Sequence, residues 1–224
     1  EPATYHSIIS AIAGGASRLN EIATKTGLES SGCSNQITSL ISLGIVRKEV
    51  PITEDSSSRK TLYRLEDNMF LFWYRFVRPN ISSIIRGIGN SIYDSLVKPE
   101  LNNFMGSVFE EICQQYLYLP DVFSKLPCCF GTIGRWWGNN PREKRQEEID
   151  IMAVQGSIAL FVECKWRNSK VTSEVAETLL RRAAMFTYPS KYYIIFSKSG
   201  FDQSLIDYVK GGAVKLISFE DMNL

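Results

Sequence analysis

Two short stretches carry the residue types that phosphate chemistry needs: Glu147-Glu148-Ile149-Asp150-Ile151 and Glu163-Cys164-Lys165. Strand residues two apart project from the same face, so Glu163 and Lys165 stand side by side with Phe161 behind them. If the two stretches pair as a hairpin through Gln155-Gly156-Ser157, Asp150 comes close to Glu163. Two neighbouring carboxylates repel unless something positive lies between them. Mg2+ (or Mn2+) suits that demand, being hard, oxygen-seeking and content with one or two carboxylates plus waters and substrate phosphate. The backbone carbonyl of Cys164 is a further plausible ligand, and Lys165 lies within reach of an ion-bound water or a scissile phosphate. Such an ion acidifies a water, aligns it with phosphorus and offsets charge growing on the phosphate, while Lys165 positions or activates the nucleophile. A third carboxylate could come from a helix in which Glu110 and Glu111 follow Phe109.

Glu-x-Lys on a strand is most often an exposed pair of opposite charges. Here Ile149 and Ile151 flank Asp150 and residues 158–162 are mostly apolar, so these charges interrupt strands that otherwise look buried. Buried charges need partners. Strand alternation turns the Cys164 side chain away from the site, which argues against a nucleophilic thiol.

The elements that must hold these residues read as follows. Residues 101–119 form a long helical pattern; 128–134, 148–154 and 158–165 are strands; 171–188 is helical. A strand at 192–197, a helix at 201–209 and a strand at 214–219 complete the set. That order predicts an α/β fold, a mixed sheet flanked by helices. Arg135, Arg142, Lys144 and Arg145 precede the Asp150 strand and could guide a phosphate backbone, or belong to a solvated loop. Trp136 and Trp137 suggest one buried and one partly exposed ring. Arg181 and Arg182 face either a substrate groove or solvent.

The first 67 residues have a different grammar. Ile8, Ile9 and Ile12 mark a helix that Gly14-Gly15 ends; Ser17 can cap a second, with Leu19, Ile22 and Ala23 on one face and Gly27 as its stop. Ser30 or Ser31 can cap a third, with Ile37, Leu40, Ile41 and Leu43 inward until Gly44. Residues 45–51 and 60–65 read as strands around a serine-rich tip. Three helices and a two-stranded wing predict a winged helix-turn-helix, with Arg59 and Lys60 of the wing touching nucleic-acid phosphate. Yet Ser31, Ser34, Asn35 and Thr38, the exposed positions of the third helix, include no cation, a poor electrostatic footprint for DNA. The expected organisation is therefore 1–67 winged helix-turn-helix, 68–100 aromatic-rich helical connector (Phe70, Phe72, Trp73, Tyr74 and Phe76 as core), and 101–224 the domain with the acidic site.

A formal charge of +1 over 224 residues leaves no global cationic field, so nucleic-acid binding must come from local patches. Five cysteines, odd in number and without a CxxC pair, favour reduced thiols and a cytoplasmic setting. His6 is the only histidine, which leaves almost no material for a histidine-based zinc site or a Ser-His triad. No apolar run approaches bilayer length, so no membrane partner is expected. The chain opens on Glu1 rather than Met, as expected of a piece of a longer protein.

Four stretches give the chain a family resemblance: Leu71-Phe72-Trp73-Tyr74-Arg75-Phe76-Val77 followed by Pro79-Asn80; Gly106 with Phe109-Glu110; Ile133-Gly134-Arg135-Trp136-Trp137; and Glu148-Ile149-Asp150 leading to Glu163-Cys164-Lys165-Trp166. The chain resembles the PD-(D/E)XK nuclease superfamily, and more narrowly the poorly characterised region that follows the ATPase module of archaeal-type AAA ATPases. The resemblance implies a restriction-endonuclease-like domain, with Glu110 as the helix acid and Asp150, Glu163 and Lys165 as the rest of a Mg2+-dependent site that cuts DNA. It also implies an N-terminal ATPase module in the full-length protein. No GxxxxGK[ST] occurs here, so this piece is not expected to bind ATP itself. Ile149 stands where the superfamily's name has proline. A non-catalytic DNA- or protein-interaction module that regulates the ATPase is the alternative, and homo-oligomerisation is compatible with either.

Overall fold

Apolar spacing builds the first elements. In the computed structural model, which describes residues 2–141, 143–212 and 214–222, Pro2–Ala13 forms α1 with Ile8, Ile9 and Ile12 buried. Proline at a helix start is tolerated because the first N–H groups have no intrahelical partner. Leu19–Thr26 is α2, and Gly27, at φ 69°, supplies the left-handed stop. Its cap differs from expectation. Arg18, not Ser17, is the cap residue, and the Glu21 carboxylate reaches back to accept from the backbone N–H groups of Ser17 and Arg18. Helix α3, Ser30–Ser42, starts after Glu29 rather than after a serine. It buries Cys33, Ile37 and Leu40, whereas Leu43 is exposed because the helix has ended and the turn at Gly44 carries it outward. Strands β1 (Val46–Glu49) and β2 (Leu62–Leu65) pair antiparallel.

A helical run follows, in which α4 (Asn68–Phe72), α5 (Ile81–Ser83) and α6 (Gly89–Ile92) alternate with wider or tighter turns. Asp67 caps it by accepting from the N–H groups of Met69 and Phe70. Gly87, at φ 87°, breaks its regularity. The aromatic run divides. Tyr74 and Phe76 are buried, but Phe70 and Trp73 are 45% and 43% exposed, because a helix cannot turn every position inward.

The chain divides into two compact units, Glu1–Val50 with Ser56–Leu101, and Pro51–Asp55 with Asn102–Leu224. The second is a five-stranded mixed sheet flanked by helices, in the sequential order β3-β4-β5-β6-β7. Helix α7 (Lys98–Leu117) leads to a short α8 (Pro120–Phe123), then β3 (Ile133–Asn140), β4 (Arg145–Gln155) and β5 (Ile158–Lys165). These three strands are antiparallel neighbours. After α9 (Ser173–Ala183), β6 (Ser190–Ser197) pairs parallel with β5; after α10 (Gln203–Tyr208), β7 (Val214–Ser218) pairs parallel with β6. Phe109, Cys113 and Leu117 of α7 cover one face of the sheet. Ala176, Leu179 and Ala183 of α9, with Leu205 of α10, cover the other.

The β3 strand is displaced from its expected place at 128–134. It pairs along nearly all of the longer β4, and the connection between Asn140 and Arg145 fixes where it lies. Arg135, Trp136 and Trp137 are therefore strand residues, and both tryptophans are buried. Trp136 packs edge-on to Phe186 and donates its indole N–H to Thr53 Oγ1, at 3.1 Å. Helix α9 is also shorter than the expected 171–188.

Candidate functional site

Three local features bring the acidic stretches together. The first is the hairpin: Gln155 faces Ile158 across a two-residue turn, and Gly156 takes φ 58°, the positive φ that tight hairpin turns require. The second is an irregularity in β4. Gly134 faces Met152 but Trp136 faces Ile149, so two steps along β3 answer three along β4. An extra residue of this kind bends a strand and re-aims its side chains. Its effect is visible in the packing: Ile149 and Met152 join the core under α9, while Ile151 joins the core under α7.

The third feature follows from the second. The β4–β5 ladder ends at Ile151 opposite Val162, whereas β5 stays paired with β6 as far as Lys165 opposite Ser197. Beyond Ile151 the Asp150 carboxylate replaces a backbone partner, its Oδ2 accepting the buried N–H of Cys164 at 2.8 Å. A residue's N–H and C=O face the same edge of a strand, so the Cys164 carbonyl faces this opening as well. The Cys164 side chain points into the core under α7. Burial, Cys113 and the nearby Asp150 and Glu110 charges hold its thiol well above the usual range, so it stays neutral.

Asp150 and Glu163 are 6% and 3% exposed. Burial first, and then the Glu163 charge, raise the Asp150 carboxyl to about 7. Burial works to lower Lys165, but the Glu163 and Asp150 charges outweigh it, and the ammonium keeps its proton more firmly than usual. Lys165 bonds directly to Glu163 Oε1.

A second cation shares Glu163. Arg182, from α9, donates from Nη1 to Glu163 Oε2 at 3.1 Å and from Nε to Glu147 Oε2 at 2.9 Å. Glu147 is buried, and it also accepts from Arg181 at 2.7 Å and from Arg145 at 2.8 Å. Burial would raise its carboxyl, but hydrogen bonds from Arg181, Arg145 and Arg182 hold it at about 2. Glu143 extends the chain through Arg181 and Arg145. Sequence reading had given neither Glu147 nor Arg182 a place beside Glu163. The available signal was that Arg182 lies three residues after the buried Leu179 and so near the inward face of α9.

The other expected residues lie as follows. Glu110, on α7, faces Arg135 at 3.4 Å, and Arg135 also approaches Glu148 at 3.7 Å. Arg135 and Arg145 thus spend charge on protein carboxylates. Lys144 occupies the β3–β4 connection at φ 50°, and Arg142 lies outside the described residues. Arg59 and Lys60 are exposed in the first unit, where Arg59 borders an open cavity of about 420 Å3 with Arg18, Asn20, Ser30 and Tyr63.

The donor chemistry fits a hard divalent ion. Two buried carboxylates lie close enough that one is raised by the other's charge, the repulsion that a cation relieves. Among the described residues no three His, Cys, Asp or Glu side chains form a ready-made ion cage. An ion here would rest on Asp150 and Glu163, with the Cys164 carbonyl, water and phosphate oxygens completing its shell, an ordinary arrangement for Mg2+.

A family profile described as archaeal and bacterial proteins of unknown function matches residues 73–178, a span that contains Glu110, Asp150, Glu163 and Lys165. An uncharacterised protein of Methanocaldococcus jannaschii is 33% identical over 229 residues, covering 100% of this chain and 49% of that protein. The chain thus spans about half the length of this relative. Among solved structures, the Vibrio cholerae protein VC1899 shares 8% identity at a TM-score of 0.38, over 97% of this chain and 48% of its own. Can2 from Sulfobacillus thermosulfidooxidans, solved with cyclic tetra-adenylate, shares 8% identity at a TM-score of 0.35, over 99% of this chain and 48% of its own. At such scores neither fold nor function transfers. Among the described residues no helix is long and apolar enough to cross a membrane.

Proposed function

We propose that the second unit is a restriction-endonuclease-like domain that hydrolyses phosphodiester bonds in DNA with the help of Mg2+ or Mn2+. The observation that carries this reading is the Asp150 carboxylate, which closes the β4–β5 ladder on the Cys164 N–H beside Glu163 and Lys165. Asp150 and Glu163 are the ligands, with the Cys164 carbonyl and, through the sequence resemblance, Glu110 as further donors. When bound, the ion supplies Lewis acidity and an acidified water. Lys165 acts as a firmly protonated cation, orienting the water or a phosphate oxygen rather than removing a proton. The first unit, with three helices and a two-stranded wing, serves as a winged helix-turn-helix in which Arg59 and Lys60 meet nucleic-acid phosphate. The N-terminal ATPase module and the cytoplasmic setting of the full-length protein rest on the sequence resemblance and the reduced cysteines alone.

The test is a plasmid-nicking assay in Mg2+ and Mn2+. Wild type should cut; Asp150→Ala and Lys165→Ala should not, with unchanged circular dichroism. Cutting without metal, or equal cutting by both variants, would overturn the reading.

A second reading, a non-catalytic DNA- or protein-interaction module, draws on one observation: Arg135, Arg145, Arg181 and Arg182 all face protein carboxylates. Calorimetric Mn2+ titration of wild type against Glu163→Ala separates the two, since only the hydrolytic site requires binding that the substitution removes.

A further inference from the structure

Glu163, a ligand in the reading above, is not idle without an ion. Lys165 holds Oε1, and Arg182 holds Oε2 at 3.1 Å. Of the three arginines in this cluster, Arg145 and Arg181 bond to Glu147, and Arg182 bonds to both Glu163 and Glu147. Its planar fork makes such sharing natural, because Nε and Nη1 point to different acceptors. Glu147 is a firm anchor: it is buried, and Arg145 and Arg181 bond to it as well.

The charges close without an ion. Glu163, Glu147 and Glu143 face four cations, Lys165, Arg182, Arg181 and Arg145, and Asp150, whose carboxyl is raised to about 7, supplies the remaining negative charge only as it ionises. A divalent ion therefore enters a site whose carboxylates already have partners. It can take Glu163 only as far as the existing cations give it up. Lys165 belongs to the reacting centre and stays on its strand beside Glu163, whereas Arg182 comes from a helix and has a second carboxylate within bonding distance.

We propose that Arg182 is the site's internal counter-cation: it neutralises Glu163 when no divalent ion is bound and withdraws onto Glu147 when one is. This rests on the metal-site reading. Arg182 is a positioning residue here, acting on Glu163 rather than on substrate. Because the ion adds two positive charges to a cluster already balanced without it, the ion and a phosphate backbone should also favour each other's binding, with equal coupling in both directions.

Mn2+ titration calorimetry on the full chain, with no nucleic acid present, tests this through a double-mutant cycle. Arg182→Gln removes the competitor and should tighten Mn2+ binding by about tenfold, a mid-range coupling for contacting charges. Glu147→Gln removes the place of withdrawal and should weaken binding by a similar factor. In the Arg182→Gln background, Glu147→Gln should have no further effect. A merely structural role predicts that both substitutions weaken binding and that their effects add. Unchanged or weaker binding by Arg182→Gln overturns the assignment while leaving the metal site standing; no Mn2+ binding by either wild type or Arg182→Gln overturns both readings. If Arg182→Gln does not fold, Glu147→Gln still puts the withdrawal at risk, since unchanged or tighter Mn2+ binding by that variant overturns it.

Discussion

Asp150 is destabilised where it stands. Its carboxyl is raised to about 7 by burial and by Glu163, so ionising it in the folded protein is costly. Asn at this position keeps an oxygen to accept the Cys164 N–H and removes the repulsion. Asp150→Asn should therefore stabilise the ion-free protein by about 1–2 kcal/mol, a rise of several degrees in Tm for a chain of this size, while abolishing Mn2+-dependent cutting. A fall in Tm, measured in EDTA, would contradict the electrostatic account. Glu147 has the opposite sign. Held at about 2 against an ordinary 4.5, it contributes stability that is fully present above pH 4.5 and is lost as pH falls towards about 2. The shift corresponds to about 3 kcal/mol. Glu147→Gln should lose stability of that order at neutral pH and show a flatter acid limb in urea melts between those two pH values.

At the scale of elements, the site depends on a hairpin register and a bend. Gly156 sets the register from which Asp150 and Glu163 meet, and its φ of 58° is one that an L side chain adopts only with strain. Nothing lies within 4 Å of a Cβ placed there, so Gly156→Ala carries a conformational cost alone, about 1–2 kcal/mol. Urea denaturation should show that loss with Mn2+ affinity unchanged, because the hairpin still closes. A loss of Mn2+ affinity would mean that the register had slipped. The β4 irregularity does what the turn cannot. It ends the ladder at Ile151 and leaves the Cys164 N–H for a side chain. Sequence reading placed both strands and their charges, but an irregularity of one residue leaves no mark in a pattern of alternating hydrophobicity.

Across the whole molecule, a formal charge of +1 and the pairing of Arg135, Arg145, Arg181 and Arg182 with carboxylates leave a modest cationic surface. Duplex DNA binding in EDTA should be weak, in the non-specific range of about 10⁻⁴–10⁻⁶ M. Ca2+, an oxygen-seeking ion that need not support cutting, should strengthen it by about tenfold, the coupling expected between an ion and a phosphate that share a site. Fluorescence anisotropy with a labelled duplex measures both, and equal affinity in EDTA and Ca2+ would argue for binding away from the acidic site.

By itself the sequence determined the strand and helix order of the second unit, its mixed sheet, and that Asp150 and Glu163 interrupt buried strands. Those are local properties: apolar periodicity, glycine stops, and charges interrupting buried strands. It placed β3 too early and expected one tryptophan to be partly exposed, because the partner strand that fixes both lies elsewhere in the chain. Only the tertiary structure decided that Glu163 is shared between Lys165 and Arg182, and that Arg182 reaches Glu147 as well. Those contacts join β4, β5 and α9, and they form only once the helix has packed on the sheet. Buried charges choose their partners by distance in space, which spacing along a chain does not encode.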